Sequence, residues 1–134
     1  MKKKFKRELK SIEQIFDFIS VFLEKYKLDD SISFTLNLVI EELFTNMIKY
    51  NTESTSEILI ELDKKEGNMI VIITDYDVEP FDVTRKKEVD VKAHLQDRRV
   101  GGLGIHLVKN MVDKIDYEYK NRESKITLTK RLER

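Results

Sequence analysis

Asp30–Tyr50 reads DSISFTLNLVIEELFTNMIKY, and its apolar residues Ile32, Leu36, Val39, Ile40, Leu43 and Met47 recur at helical spacing. This stripe predicts a helix, beginning at Asp30 or Ser31, with one face against a core. Working outward, Ser11 with Gln14 three residues on has the form of a helix start. The helix it opens runs to about Lys27, with Ile12, Ile15, Phe16, Ile19, Phe22 and Leu23 at helical spacing. Before it, Phe5–Leu9 alternates apolar and charged residues as a short edge strand does. After the central helix, Glu57–Leu62 and Met69–Thr74 read as a hairpin turning at Gly67-Asn68. Strands near Ile115–Tyr119 and Ile126–Leu132 close the chain, preceded by a helix over about Leu103–Val112. Strands in a meander with few crossovers predict a two-layer α/β (α+β) sandwich, one sheet under one layer of helices.

Composition narrows the class. The 134 residues suit one domain, 1–134, with no repeat or linker to divide it. Twenty-five basic and 25 acidic side chains cancel, unlike the basic excess of a nucleic-acid binder. There is no cysteine, which excludes disulfides, thiolate metal sites and a cysteine nucleophile. No apolar run is long enough to span a membrane, and MKKKFKRELK lacks the apolar centre of a signal peptide. The expectation is a soluble cytoplasmic domain.

Three places carry chemistry. Glu42 and Asn46 lie one turn apart beside the buried stripe; the carboxylate suits a general base and the amide oxygen a hard cation. An i, i+4 polar pair is common on helices, so the pair alone decides little. Asp75 ends an apolar strand, and Asp77, Pro80, Phe81 and Asp82 follow it. Three of the four glycines, Gly101, Gly102 and Gly104, fall in GGLG around Leu103, before an apolar-periodic helix. Backbone N–H groups there can approach a phosphate, with the helix dipole in support. The polar stretch from Asp75 to Val100, with at most a short helix near Val91–Leu95, has the length of a functional loop. His94 and His106 have the setting of ordinary surface or packing histidines.

In order along the chain, Glu42-x3-Asn46, Asp75 with Pro80-Phe81-Asp82, and Gly101-Gly102-Leu103-Gly104 resemble the ATP site of the GHKL superfamily. That group includes type II topoisomerases, sensor histidine kinases and MutL. Gly101–Lys109, GGLGIHLVK, and Ile126–Leu132, ITLTKRL, are most similar to the small stand-alone anti-sigma-factor serine/threonine kinases. The resemblance implies a Bergerat-type fold with a mixed, largely antiparallel sheet and helices on one face. It also implies ATP and Mg²⁺ as cofactors. Glu42 matches the residue that polarises the attacking group, Asn46 the Mg²⁺ ligand, and Asp75 the reader of the adenine amino group. Gly101, Gly102, Leu103 and Gly104 match the phosphate lid, and Thr127 matches a threonine that supports adenine.

The implied activity is phosphorylation of a small antagonist protein in bacterial partner switching, with a sigma factor or similar regulator as the sequestered partner. The first strand and the outer side of the first helix are available to a homodimer. One departure stands out. Where such chains carry Asp-x-Gly, this one reads Asp75-Tyr76-Asp77, which removes an easy position for positive φ and adds a negative charge. That departure favours an alternative, a non-catalytic protein-binding module with weakened or lost ATP binding.

Overall fold

The computed structural model describes residues 1–79 and 108–132. A five-stranded sheet is built from β1 (Lys2–Phe5), β2 (Ile58–Lys65), β3 (Asn68–Tyr76), β4 (Lys114–Lys120) and β5 (Glu123–Arg131). The strand order is β1-β2-β3-β5-β4. A mixed, largely antiparallel sheet is the expectation; every described pairing is antiparallel. Two helices, α1 (Ser11–Tyr26) and α2 (Asp30–Tyr50), pack with the sheet in one apolar core.

The period-two alternation of the strands sets which side chains meet the helices. Ile60, Ile73 and Ile126 lie side by side across β2, β3 and β5, as do Leu62, Val71 and Leu128. All six are almost fully buried, and so are Ile15, Ile19 and Phe22 of α1 and Leu36, Val39, Ile40 and Leu43 of α2. The whole stripe read from the sequence of α2 is buried, and Phe44 joins it. The opposite row, Glu61, Ile72, Thr127 and Asp116, forms the other face of the sheet. Both rims are charged: Lys2, Lys3 and Lys4 on β1 are exposed, as are Lys114, Asp116, Glu118 and Lys120 on β4. Charges of this kind discourage edge-to-edge association.

Element boundaries move where side chains find other partners. The first strand is Lys2–Phe5 and not Phe5–Leu9: it ends where the expected strand begins, and beyond it the Arg7 side chain turns into the molecule. Ser11 is the first residue of α1, preceded by Lys10 at the N-cap position with no side-chain capping bond; the Ser11 hydroxyl donates to the Lys6 carbonyl at 2.8 Å. Asp29 caps α2 by accepting from the Ile32 N–H at 3.1 Å. The β2–β3 turn uses Glu66 (φ 52°) and Gly67 (φ 80°), one residue earlier than Gly67-Asn68. The β4–β5 turn uses Asn121 (φ 53°) and Arg122 (φ 62°). Two consecutive positive φ values mark type I′ turns, whose twist suits a hairpin. Of the expected helix before β4, the described part is helical over 108–111.

Glu66 holds a left-handed conformation that asparagine adopts more readily. Glu66→Asn is therefore expected to stabilise the fold by about 1 kcal/mol, read as a higher urea midpoint with an unchanged slope.

Candidate functional site

The C-terminal half of α2 brings the first two candidates together. Glu42 and Asn46 are both buried, at 9% and 2% exposure. The Asn46 amide nitrogen donates to the Glu42 carboxylate at 2.9 Å and to the Glu42 carbonyl at 2.6 Å. This leaves Asn46 Oδ1 buried with no hydrogen-bond partner among the described residues. A buried acceptor of this kind normally costs free energy unless something donates to it or coordinates it. Its chemistry, a neutral amide oxygen beside a carboxylate, fits a hard cation such as Mg²⁺. Burial pushes the Glu42 carboxyl above its ordinary value, against the pull of the Asn46 hydrogen bond. A carboxyl raised by burial holds a proton more readily, as a general base must.

Asp75 stands at the end of β3, in phase with Met69, Val71 and Ile73, so it faces the core and is fully buried. Its Oδ1 pairs with the Arg7 guanidinium and its Oδ2 accepts from the Asn51 amide at 2.8 Å. Arg7 also donates to the Ser56 carbonyl (3.2 Å), the Met47 carbonyl (3.3 Å) and the Ser54 hydroxyl (3.2 Å). Ser54 in turn donates to the Tyr76 carbonyl at 2.7 Å. Asn51 is the C-cap of α2, so the end of that helix bonds directly to the end of β3. The Met47 carbonyl that Arg7 holds is one residue from Asn46. Burial raises the Asp75 carboxyl above its ordinary value, and Arg7 and Asn51 oppose the rise.

Past β3, Asp77 adopts φ 58°, the left-handed conformation that glycine takes without cost. Aspartate tolerates it better than most residues. The Arg122 guanidinium donates to the Asp77 carboxylate at 3.0 Å and to Glu79 at 3.2 Å. Val78 N–H donates to the Arg122 carbonyl at 3.1 Å, and the Tyr119 hydroxyl to the Val78 carbonyl at 2.8 Å. The chain leaving β3 is thereby fastened to the β4–β5 hairpin without a glycine.

Glu42 and Asn46 are thus paired on α2, and Asp75 at the end of β3 is tied to the C-cap of the same helix through Asn51. Thr127 is not among them. Ile126 and Leu128 point inward, so Thr127 lies on the opposite face of the sheet, beside Ile72 and Asp116. The β5 residue that pairs with Asp75 is Ser124, which is 4% exposed. Counting back by twos from Ile126 finds it. Arg7, Asn51 and Ser54 escape sequence reasoning, since each resembles an ordinary surface polar residue. Gly101, Gly102, Leu103 and Gly104 lie outside the described residues, as do Pro80, Phe81, Asp82, His94 and His106. Among the described residues no helix is long and apolar enough to cross a membrane, and no group of three His, Cys, Asp or Glu side chains is placed to hold a metal.

Residues 5–130 match the histidine kinase-like ATPase domain family, and the chain belongs to that family. It is 32% identical over 93 residues to serine-protein kinase RsbW of Listeria monocytogenes serovar 1/2a. That alignment covers 63% of this chain and 57% of the relative, so the chain matches little more than half of that protein's length. Among solved structures, a chain of the SiaB–SiaC complex from Pseudomonas aeruginosa is similar with a TM-score of 0.65 and 16% identity. The match covers 97% of this chain and 87% of that one. The Acinetobacter baumannii histidine kinase AdeS follows at a TM-score of 0.56 and 16% identity, covering 100% of this chain and 68% of that chain. These likenesses show the two-layer fold.

The left-handed conformation of Asp77 gives a direct check. Asp77→Ala is expected to destabilise the fold by about 1 kcal/mol, while Asp77→Gly is expected to be neutral or stabilising. The exposed pair with Arg122 contributes little by comparison. Thermal unfolding of both variants separates the backbone effect from the charge effect.

Proposed function

We propose that this member of the histidine kinase-like ATPase domain family binds Mg-ATP and transfers the γ-phosphoryl group to a serine or threonine of a small antagonist protein. In this reading it is a regulatory serine/threonine kinase of the anti-sigma-factor type, whose other partner is a sigma factor or similar regulator. The family match and the similarity to a serine-protein kinase support it. The observation that carries it is Asn46 Oδ1, without a hydrogen-bond partner among the described residues and buried one helical turn from a carboxylate whose proton affinity burial has raised.

Each residue then has a task. Asn46 is the side chain that would hold Mg²⁺, which when bound neutralises phosphate charge. Glu42 takes the proton of the acceptor hydroxyl as its oxygen bonds to the γ-phosphorus and ADP departs. Asp75 offers a carboxylate lone pair to the adenine amino group. Gly101, Gly102, Leu103 and Gly104 supply backbone N–H groups to the phosphates. Phosphoryl transfer rests mainly on positioning and electrostatics, and a fixed base on a buried helix supplies both.

A second reading, a binding module without catalysis, draws on two observations. Asp77 replaces the expected glycine, and both Asp75 oxygens already have partners within the chain. Calorimetry with Mg-ATP separates the readings, since the module gives no heat at millimolar nucleotide.

For the kinase, Glu42→Ala is expected to keep Mg-ATP affinity within about 3-fold while transfer falls by roughly 10²-fold or more. Retained transfer to the acceptor protein would remove Glu42 from the chemistry. Asn46→Ala is expected to bind ATP equally with and without Mg²⁺, whereas the wild type binds more tightly with the ion. Paired titrations in Mg²⁺ and in chelator measure this.

A further inference from the structure

The Asp75 carboxylate is fully buried, and a buried carboxyl tends to take up a proton. Protonated, it can donate one hydrogen bond as well as accept; ionised, it only accepts. Which of the two it does decides what group a ligand can present there. The charged groups bearing on it are Arg7, from the β1–α1 connection, and the more distant Glu53, from the α2–β2 connection. Asn51, its other hydrogen-bond partner, and Ser124, across the sheet, are neutral. Arg7 is the cation that opposes protonation. It is itself 8% exposed along its side chain and pinned by the Met47 and Ser56 carbonyls and the Ser54 hydroxyl.

We propose that Arg7 is a specificity-determining positioning residue: by holding Asp75 Oδ1 it keeps the buried carboxylate an acceptor, so the site selects a purine with a 6-amino group over one with a 6-keto group. A carboxylate has about four lone-pair directions. Arg7 and Asn51 take two, which leaves acceptor capacity for an incoming amino group. A 6-keto oxygen meets an acceptor and is repelled. Without Arg7, burial is opposed only by Asn51, the carboxyl protonates as pH falls, and the preference for the 6-amino group is lost, because the protonated carboxyl can also donate to a 6-keto oxygen. The inference rests on the nucleotide reading above and adds to it the residue that sets base choice.

Calorimetric titration of the full chain with Mg-ATP and Mg-ITP at pH 6 and pH 8 tests it. The wild type is expected to prefer Mg-ATP by at least ~10-fold at both pH values, because a site built to accept from a donor rejects the analogue lacking it. Arg7→Met is expected to lose ~10-fold in Mg-ATP affinity at pH 6, recover much of it at pH 8, and bind Mg-ITP at pH 6 as well as or better than the wild type. Arg7→Lys is expected to restore the flat wild-type profile. An Arg7→Met chain whose ATP-to-ITP preference matches the wild type at both pH values overturns the proposal. So does an equal loss for both nucleotides at both pH values, the mark of a purely structural role. If Arg7→Met does not fold, carboxyl NMR of the wild type decides: Asp75 ionised at pH 6 and shifted by Mg-ATP but not Mg-ITP supports it, and Asp75 protonated at pH 6 overturns it. A wild type that binds neither nucleotide overturns the nucleotide reading itself, and this assignment with it.

Discussion

One buried ion pair, Arg7 with Asp75, ties the end of β3 to the end of α2 and to the connections that flank it. Arg7 comes from the connection between β1 and α1; Asp75 ends β3. The arginine also reaches the end of α2 through Met47 and the following loop through Ser54 and Ser56. Removing one partner of such a pair leaves a charge in low dielectric, typically at a cost of about 3–5 kcal/mol. The pair thus fixes where the strand end lies relative to the helix end. Asn51 adds a second tie between the same two elements.

That constraint gives the helix its local chemistry. Because α2 is anchored along Ile32, Leu36, Val39, Ile40, Leu43 and Met47, the Glu42–Asn46 edge is carried on a rigid support. The asparagine satisfies Glu42 with its nitrogen, which sets its orientation, and among the described residues its oxygen has no partner. The exit from β3 is held differently. Asp77 takes the backbone conformation usually left to glycine, and Arg122 and Tyr119 fasten the chain beyond it. The substitution that seems to threaten the site in sequence is accommodated in structure, with the extra negative charge paired to Arg122.

Much of this was legible in the residues, for physical reasons. The apolar period of α2 names its buried face, and Glu42 and Asn46 fall beside it. Asp75 is in phase with the inward residues of β3. Motif position alone points to Thr127, but alternation overrules it: Ile126 and Leu128 point inward, so the residue between them faces the other side of the sheet. The early end of β1 and the role of Arg7 were not legible. A single arginine in a run of lysines carries no local sign that its partner is an aspartate 68 residues away. The turn at Glu66-Gly67 was read one residue late, since glycine marks only one of the two positive-φ positions.

In the order β1-β2-β3-β5-β4, β1 joins β2 across both helices, and two short-range hairpins, β2–β3 and β4–β5, meet at a second long-range seam, β3 against β5. Tyr76 and Glu123 close that seam at its upper end. Bringing together strands so far apart along the chain carries a loop-closure entropy of about 3 kcal/mol, which neither hairpin faces. The hairpins are therefore the early events of folding and the seam is the late one. Asp75 and Ser124 sit on it, so the buried surroundings of the Asp75 carboxylate are complete only once the two hairpins have joined. A half-folded chain has both hairpins and leaves that carboxylate in water.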